Sequence, residues 1–270
     1  MSDLIEIIQF FFLGLFQGFT EPIPISSSGH LLMLRSILDI DLPGVTFEAF
    51  INFGSLIAVL IVYRKDILSL MINGTAFLFK REEENRQEFY YLFLLFIATI
   101  PAGLIGVLFE DMIGSIFDHV KLVGITLILT AIALWIIRNL KGYKDDAEMT
   151  IKDAIIIGFA QSIALLPGIS RSGATIVAAM LVGLKRRSAL KFSFLMYIPV
   201  SLGTMVFATN DVLSDPAISS QFILYVIALI GAIFASYFAL LFFINVMTSG
   251  NLKYFAYYCM GIGVLALIFL

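Results

Sequence analysis

Cysteine is almost absent from this chain of 270 residues, in which Cys259 is the single thiol. One cysteine excludes an intrachain disulfide framework. Charge is also scarce: Asp, Glu, Lys and Arg make up 14% of the residues, whereas a soluble globular domain carries about 25%. The net charge of −3 is close to balanced and gives no indication of a nucleic acid partner. The N-terminal sequence MSDLIEII lacks a basic region, so no removable signal peptide is predicted.

Hydrophobic residues are abundant, at 60% of the chain, and the mean hydropathy is +0.99. Several uncharged runs approach the ~20 apolar residues that a helix needs to cross a bilayer. The sequence therefore predicts an all-α polytopic membrane protein. Six segments are predicted to cross the membrane: 45–63, 89–109, 122–137, 192–210, 221–245 and 254–270. Polar loops are predicted between them at 64–88, 110–120, 138–152, 185–191 and 209–220.

Two further apolar segments, 4–38 and 153–187, are each interrupted by Pro, Ser and Gly. Cytoplasmic loops are enriched in Lys and Arg, so these residues orient the spans. Fourteen of them fall on one side and two on the other if each interrupted segment enters and leaves the membrane on the same side. The sequence thus predicts two re-entrant helical hairpins, the first opening to the outside and the second to the inside, in a multi-pass protein of the cell membrane.

The two interrupted segments also resemble each other. Sliding residues 13–31 by 144 positions onto 157–175 gives six identities in nineteen ungapped positions. The identical pairs are Gly14 and Gly158, Gln17 and Gln161, Ile25 and Ile169, Ser26 and Ser170, Ser28 and Ser172, and Gly29 and Gly173. Because the halves have opposite predicted orientations, we predict an inverted-topology repeat, approximately 1–140 and 150–270, within one integral membrane domain spanning 1–270. Such folds place broken helices at the repeat interface, where substrates bind.

The interruptions predict half-helices whose N-termini point toward the centre of the protein. Prolines such as Pro22 and Pro167 stop the preceding helices, and serines then cap the new ones, which are expected to begin near Ser28 and Ser172. Helix N-termini bind anions, because their N–H groups are free and carry partial positive charge. Two such N-termini predict a pocket for a multiply charged anion such as a diphosphate.

Two charged residues, Glu21 and Arg171, lie within these apolar segments. A charge at the bilayer centre costs at least ~2.5–3.5 kcal/mol on insertion scales, which makes both residues candidates for function. A purely structural ion pair between the repeats is the alternative, but it does not account for the neighbouring hydroxyls and His30. Together these groups resemble a nucleophile with a base and an anion stabiliser. Taken singly, the serines could serve only as caps, and His30 could be a hydrogen-bonded core residue.

Two stretches, QGFTEPIPISSSGH at 17–30 and PGISRSGAT at 167–175, closely resemble the two signatures of the undecaprenyl-diphosphate phosphatase family of the bacitracin-resistance type. The family pattern is Glu or Gln, three residues, Glu and then a Ser-rich run ending in Gly-His, followed later by Pro-Gly-x-Ser-Arg-Ser-Gly-x-Thr. The resemblance covers essentially the whole chain. This chain has Gln17 at the first position, so one carboxylate is missing, which weakens the case for two carboxylates holding a metal.

The resemblance implies an enzyme that hydrolyses undecaprenyl diphosphate to undecaprenyl phosphate and inorganic phosphate. This reaction recycles the lipid carrier of peptidoglycan synthesis, and overproduction gives resistance to bacitracin, which sequesters the diphosphate. Family members need a divalent cation, Mg²⁺ or Ca²⁺. We assign catalytic roles to Glu21, Ser27, His30 and Arg171. Substrate-binding roles are assigned to Gln17, Ser26, Ser28, Ser170, Ser172 and Thr175, and Glu21 and Gln17 are the candidate metal ligands.

Several alternatives stay open at this point. Ser27 is the preferred nucleophile, with Glu21 or His30 as proton acceptor, but direct attack by water would leave Ser27 as a ligand. Glu21 would either hold the cation or accept the proton. A polyprenyl-phosphate transporter or flippase without hydrolysis is the alternative function, because inverted repeats with broken helices are typical of transporters. The expected partners are the polyprenyl diphosphate and the bilayer, with a homodimer as the candidate assembly.

Overall fold

A computed structural model of the chain describes residues 2–38, 45–80, 83–109, 120–214 and 216–270. This part of the chain is helical apart from turns and loops, and it contains no β-strand. Its α-helices are α1 Ser2–Thr20, α2 Ser27–Leu38, α3 Val45–Val62, α4 Arg64–Lys80, α5 Arg86–Leu108, α6 Val120–Ile137, α7 Ile151–Ile163, α8 Arg171–Leu181, α9 Arg186–Ser214, α10 Pro216–Thr248 and α11 Lys253–Phe269. Short 3-10 helices occur at Glu83–Asn85 and Asp146–Glu148.

Three described helices are long and apolar enough to cross a membrane: Glu83–Leu108, Arg186–Val206 and Gln221–Thr248. They coincide with the predicted spans 89–109, 192–210 and 221–245. The other predicted spans are also apolar helices, but they are shorter: Phe47–Val62, Lys121–Ile137 and Lys253–Phe269. The prediction of an all-helical membrane protein is therefore confirmed.

The prediction of a polar loop over 64–88 is wrong, because most of this segment forms α4. The helix packs along α5. A Cβ on Gly74 would lie 2.5 Å from a methyl carbon of Leu92, and the ring centroids of Phe77 and Phe89 are 5.2 Å apart. The charged residues around 80–88 are typical of a loop, but the residues before them are mostly apolar. Those residues pack against α5 on one side and expose apolar side chains such as Ile72 on the other.

The loops predicted at 185–191 and 209–220 are also wrong in extent. α9 already begins at Arg186 and continues to Ser214, and α10 begins at Pro216. Helical geometry is nevertheless interrupted at Gln221, with φ −115° and ψ 19°, where the fifth predicted span begins. The predicted loop over 138–152 is confirmed as non-α-helical up to Thr150. Nearly all of the predicted loop 110–120 lies outside the described residues.

Both interrupted segments form helix–turn–helix hairpins, as the prolines predict. In each, a serine directly before the second helix accepts a hydrogen bond from the N–H of a glycine three residues later: Ser26 from Gly29 at 3.3 Å and Ser170 from Gly173 at 3.1 Å. The predicted serine caps are therefore present, at Ser26 and Ser170, and Ser28 lies inside α2 and is not its cap. The half-helices begin one residue earlier than predicted, at Ser27 and Arg171.

The first helix of each hairpin packs closely on a long helix from the other half of the chain. α1 lies along α10, and α7 lies along α5. A Cβ on Gly14 would come within 1.9 Å of the carbonyl oxygen of Ala228, and one on Gly158 within 2.5 Å of that of Ala98. These two glycines are equivalent in the sequence repeat. Both backbone contacts are so close that only glycine fits.

Candidate active site

The turns of the two hairpins meet at the start of the half-helices. A Cβ placed on Gly29 of α2 would lie 3.0 Å from the Cα of Gly168, and one on Gly173 of α8 would lie 3.3 Å from the Cβ of Pro24. Each glycine is in the first turn of one half-helix and touches the turn before the other. The free N–H ends of α2 and α8 are therefore brought to the same region, as the sequence predicts.

Glu21 is the centre of the polar contacts here. One carboxylate oxygen accepts hydrogen bonds from the Ser27 hydroxyl and, at 3.1 Å, from the Gln17 amide. The other oxygen accepts a charge-assisted hydrogen bond from the guanidinium of Arg171. The side chains of Arg171 and Glu21 are only 21% and 11% exposed. Four predicted site residues from both halves of the chain are thus in one hydrogen-bonded group.

Arg171 is held from a second direction by a tyrosine that the sequence analysis missed. Its guanidinium carbon lies 3.5 Å from the centre of the Tyr197 ring, a cation–π contact. The Tyr197 hydroxyl donates to the side-chain oxygen of Asn52 at 2.7 Å. Both residues lie in predicted membrane spans, where a polar side chain such as Asn52 is a signal that could have drawn attention to them.

Both ring nitrogens of His30 have hydrogen-bond partners other than Ser27. Its Nδ1 lies 2.8 Å from the backbone oxygen of Ser26, and its Nε2 lies 2.9 Å from the hydroxyl of Tyr258. Because a carbonyl oxygen can only accept, Nδ1 carries the proton and Nε2 accepts from Tyr258 in the neutral ring. The two rings also stack, with centroids 5.5 Å apart. Of the two candidate proton acceptors, Glu21 and not His30 is in contact with the Ser27 hydroxyl.

The remaining predicted hydroxyls divide by exposure. Ser26, Ser170, Ser172 and Thr175 are buried, at 5% exposure or less. Ser26 and Ser170 cap their helices, the Ser172 hydroxyl lies 3.2 Å from that of Ser170, and Thr175 donates to the backbone oxygen of Arg171 at 3.0 Å. Ser27 and Ser28 are only partly buried. These two hydroxyls are therefore more accessible to a ligand.

The predicted metal ligands fit a hard cation in part. Gln17 is 4% exposed, and its side-chain oxygen is buried without a hydrogen-bond partner beside the Glu21 carboxylate. Carboxylate and amide oxygens are ligands that Mg²⁺ and Ca²⁺ accept, and Mg²⁺ sites often combine one or two carboxylates with substrate phosphates. Within the described ranges, no cluster of three or more His, Cys, Asp or Glu side chains could hold a metal. A cation here would therefore need oxygens from water and substrate.

These features define a class of protein: helical membrane proteins in which an acid, a hydroxyl and a guanidinium group meet on broken helices. The family model for bacitracin resistance protein BacA matches residues 10–265. The chain belongs to this family.

Curated relatives are similar over their full length. An undecaprenyl-diphosphatase 1 of Bacillus cereus is 52% identical over 270 residues, which is 100% of both chains. An undecaprenyl-diphosphatase of Oceanobacillus iheyensis is 53% identical over 266 residues, covering 98% of this chain and 97% of the relative. An undecaprenyl-diphosphatase 1 of Halalkalibacterium halodurans is 47% identical with the same coverage. The family named from the sequence is thereby confirmed.

Proposed function

We propose that this protein hydrolyses undecaprenyl diphosphate to undecaprenyl phosphate and inorganic phosphate. Membership of the BacA family and the names of relatives about half identical over the whole chain support this activity. The observation that carries it is the contact of the Ser27 hydroxyl with Glu21, which is paired in turn with Arg171. Nothing in the comparisons supports the alternative of a transporter without hydrolysis. The activity would recycle the lipid carrier of cell-wall synthesis and account for bacitracin resistance.

In the first step, the Ser27 oxygen attacks the terminal phosphorus while Glu21 accepts the hydroxyl proton. A bond forms between Ser27 and phosphorus, the anhydride bond breaks, and undecaprenyl phosphate leaves. Glu21 then passes its proton to the departing phosphate. In the second step Glu21 accepts a proton from a water molecule whose oxygen attacks the phosphorus, the bond between phosphorus and Ser27 breaks, inorganic phosphate leaves, and Glu21 returns the proton to the Ser27 oxygen. Neutralising Glu21 removes its attraction for Arg171, so the guanidinium is released toward the phosphoryl oxygens when their charge must be stabilised.

The surroundings of Ser27 suit a phosphoryl group. The first-turn N–H groups of α2 and α8 supply partial positive charge, and Arg171 supplies a planar fork that can bind two oxygens. His30 would hold α2 and Tyr258 in position, since both of its nitrogens are occupied. Glu21 and Gln17 would hold the divalent cation with oxygens of the substrate. The cation would neutralise charge on the phosphates.

We propose a topology of six full spans and two re-entrant hairpins arranged as an inverted repeat, in the cell membrane, with the site open to the external side. Three described helices of spanning length and the reciprocal packing of α1 on α10 and α7 on α5 support this arrangement. The three shorter helices would span with their ends near the interfaces, at 1.5 Å rise per residue.

The test of the function is phosphate release by purified protein in detergent, where no transport between compartments can occur. We expect release from the wild type and a loss of at least ~10³-fold in Ser27→Ala, with labelled phosphate trapped on Ser27 in rapid-quench experiments on the wild type. Ser28→Ala is the neighbouring control. It keeps the Ser27–Glu21 contact and should retain measurable turnover with weaker substrate binding.

An active Ser27→Ala enzyme would replace the serine nucleophile by a water molecule activated by Glu21. Absence of phosphate release from the wild type, with a divalent cation supplied, would overturn the hydrolase itself.

A further inference from the structure

An apolar groove of about 530 Å³ runs between α1 and α10 on the outside of the helical assembly. Phenylalanine dominates its lining. Its aromatic residues are Phe12, Phe16, Phe19, Phe234 and Phe238. Phe12 and Phe19 lie two turns apart on one face of α1, and the rings of Phe234 and Phe238 pack on α10 with centroids 4.8 Å apart.

The groove adjoins the candidate active site. The ring of Phe16 lies 6.4 Å from the ring of His30, and Phe19 is two residues before Glu21 in the chain. The groove also has a firm base. α1 and α10 touch through Gly18 and Ala232, and the hydroxyl of Ser236 donates to the backbone oxygen of Gly18 at 2.9 Å. Its shape is therefore set by backbone contacts between the two helices.

Contact with the bilayer alone does not explain the phenylalanines. In the sequence repeat, Phe12 and Phe19 of α1 correspond to Ile156 and Ile163 of α7, and Phe16 corresponds to Ala160. At these equivalent positions the side chains are exposed in both hairpins: Phe12 and Ile156 are 59% and 40% exposed, and Phe19 and Ile163 are 50% and 58% exposed. Aliphatic side chains thus satisfy the same kind of exposure in the second hairpin. At these positions the aromatic rings occur in the hairpin that also carries Glu21 and Ser27; the exposed phenylalanine of α7, Phe159, lies at the position equivalent to Leu15.

We propose that this groove binds the isoprenoid tail of the substrate next to its diphosphate, and so selects polyprenyl diphosphates over diphosphates on straight chains. The assignment rests on the proposed function for its substrate. Aromatic rings have few rotamers, so they form a preorganised surface at small entropic cost. Planar, methyl-substituted double bonds can lie flat against such rings, whereas a straight saturated chain offers only methylene edges. Continuity with the site through Phe16 places the tail where the headgroup meets Ser27.

The test compares substrates that share a headgroup and differ in the tail. The kcat/KM for undecaprenyl diphosphate is divided by the kcat/KM for octadecyl diphosphate, which has a straight saturated chain. We expect this ratio to fall by about 10-fold in the double variant Phe12→Ala/Phe19→Ala, mainly through KM for the prenyl substrate. The matched control is Ile156→Ala/Ile163→Ala on α7, for which the ratio should stay within about 2-fold of the wild type.

An unchanged ratio in the α1 variant would overturn the proposal, even if both activities fall, because general damage affects both substrates. An equal fall of the ratio in the α7 control would also overturn the proposal, because the preference for the prenyl substrate would then depend on lipid-facing residues in general and not on this groove. A binding measurement separates this outcome from failure of the hydrolase. In a Phe234→Cys/Cys259→Ser protein, undecaprenyl phosphate should slow maleimide labelling several-fold more than octadecyl phosphate does. Equal protection by the two lipids would assign the groove to ordinary acyl chains.

Discussion

At the scale of single residues, Glu21 contacts both Ser27, the proposed nucleophile, and the guanidinium of Arg171. A carboxylate in contact with a hydroxyl can accept its proton, which is the role that we propose for Glu21. Gln17 donates to the same oxygen as Ser27, which orients the carboxylate and turns the Gln17 oxygen toward a separate, unpartnered position. The chemistry of the site therefore depends on one acid held by three donors.

Arg171→Lys tests whether the planar guanidinium is needed beyond its charge. Lysine keeps the charge but loses both the two-pronged contact and the stacking on Tyr197, so we expect kcat/KM to fall by about 10²-fold or more while the protein still folds and inserts. The measurement is phosphate release together with a thermal melt in detergent.

Arg138→Lys is the matched control, because Arg138 also stacks on an aromatic ring, that of Trp135 at 3.9 Å, but outside the described site contacts. It should retain near wild-type turnover. Near-normal turnover in Arg171→Lys would instead show that a point charge is sufficient.

At the scale of secondary structure, the site depends on helices that stop and restart inside the protein. The two turns differ in the residue that adopts a positive φ: this is Ser26, at 68°, in the first hairpin and Gly168, at 83°, in the second. A serine in the left-handed region is uncommon, and such strain persists where surrounding contacts require it. Here the Ser26 hydroxyl caps α2 and its carbonyl accepts from His30, so the residue serves both helix and site.

Gly14→Ala tests the close contact that seats the first hairpin on α10. The added methyl would lie 1.9 Å from a backbone oxygen, which cannot move aside without shifting the helix. We expect the free energy of unfolding to fall by about 2–3 kcal/mol or more, seen as a lower melting temperature in detergent and a lower yield of folded protein.

Gly203→Ala is the control, because a Cβ at Gly203 in α9 meets nothing within 4 Å. This change should raise stability slightly, by about 0.5–1 kcal/mol, since alanine is the better helix former. Equal melting temperatures for the two variants would show that α1 and α10 are not held in contact at Gly14.

At the scale of the whole molecule, the two halves exchange contacts. Each hairpin lies against a long helix of the other half, and each half-helix touches the turn of its counterpart. The ion pair of Glu21 and Arg171 also joins the halves. A second group of charged residues joins α4, α9 and the loop before α7: Lys191 of α9 pairs with Asp66 of α4 and with Asp146 of the loop. The arrangement explains how one polar site can be enclosed without a separate domain.

Single-cysteine labelling tests the proposed topology. In a Cys259→Ser background, Glu84→Cys and Asp145→Cys should react with a membrane-impermeant maleimide only from the cytoplasmic side, and Leu213→Cys only from the external side. The two cytoplasmic positions follow from the Lys and Arg count. Labelling of positions 84 and 213 from the same side would contradict the six-span arrangement with re-entrant hairpins.

The all-helical class and the breaks in two apolar segments could be predicted from the sequence, as could the polar residues that lie at those breaks. Proline geometry and the cost of charge in a membrane act locally, so Pro22, Glu21 and Arg171 could be interpreted without neighbours. The repeat could also be found by alignment. α4 was missed because a charged stretch at its end outweighed the apolar pattern before it.

The partners of the polar side chains could not be predicted from the sequence, because they depend on tertiary packing. The half-helices begin one residue earlier than predicted, and their caps are Ser26 and Ser170. The backbone dihedrals of the preceding turn determine which N–H groups the serine hydroxyls can reach, and no sequence pattern gives these dihedrals. His30 is paired with Tyr258, which is 228 residues away, and Arg171 is stacked on Tyr197. Such long-range contacts depend on how helices cross. Local spacing therefore identified the candidate site residues, and helix packing brings Glu21 into contact with Ser27.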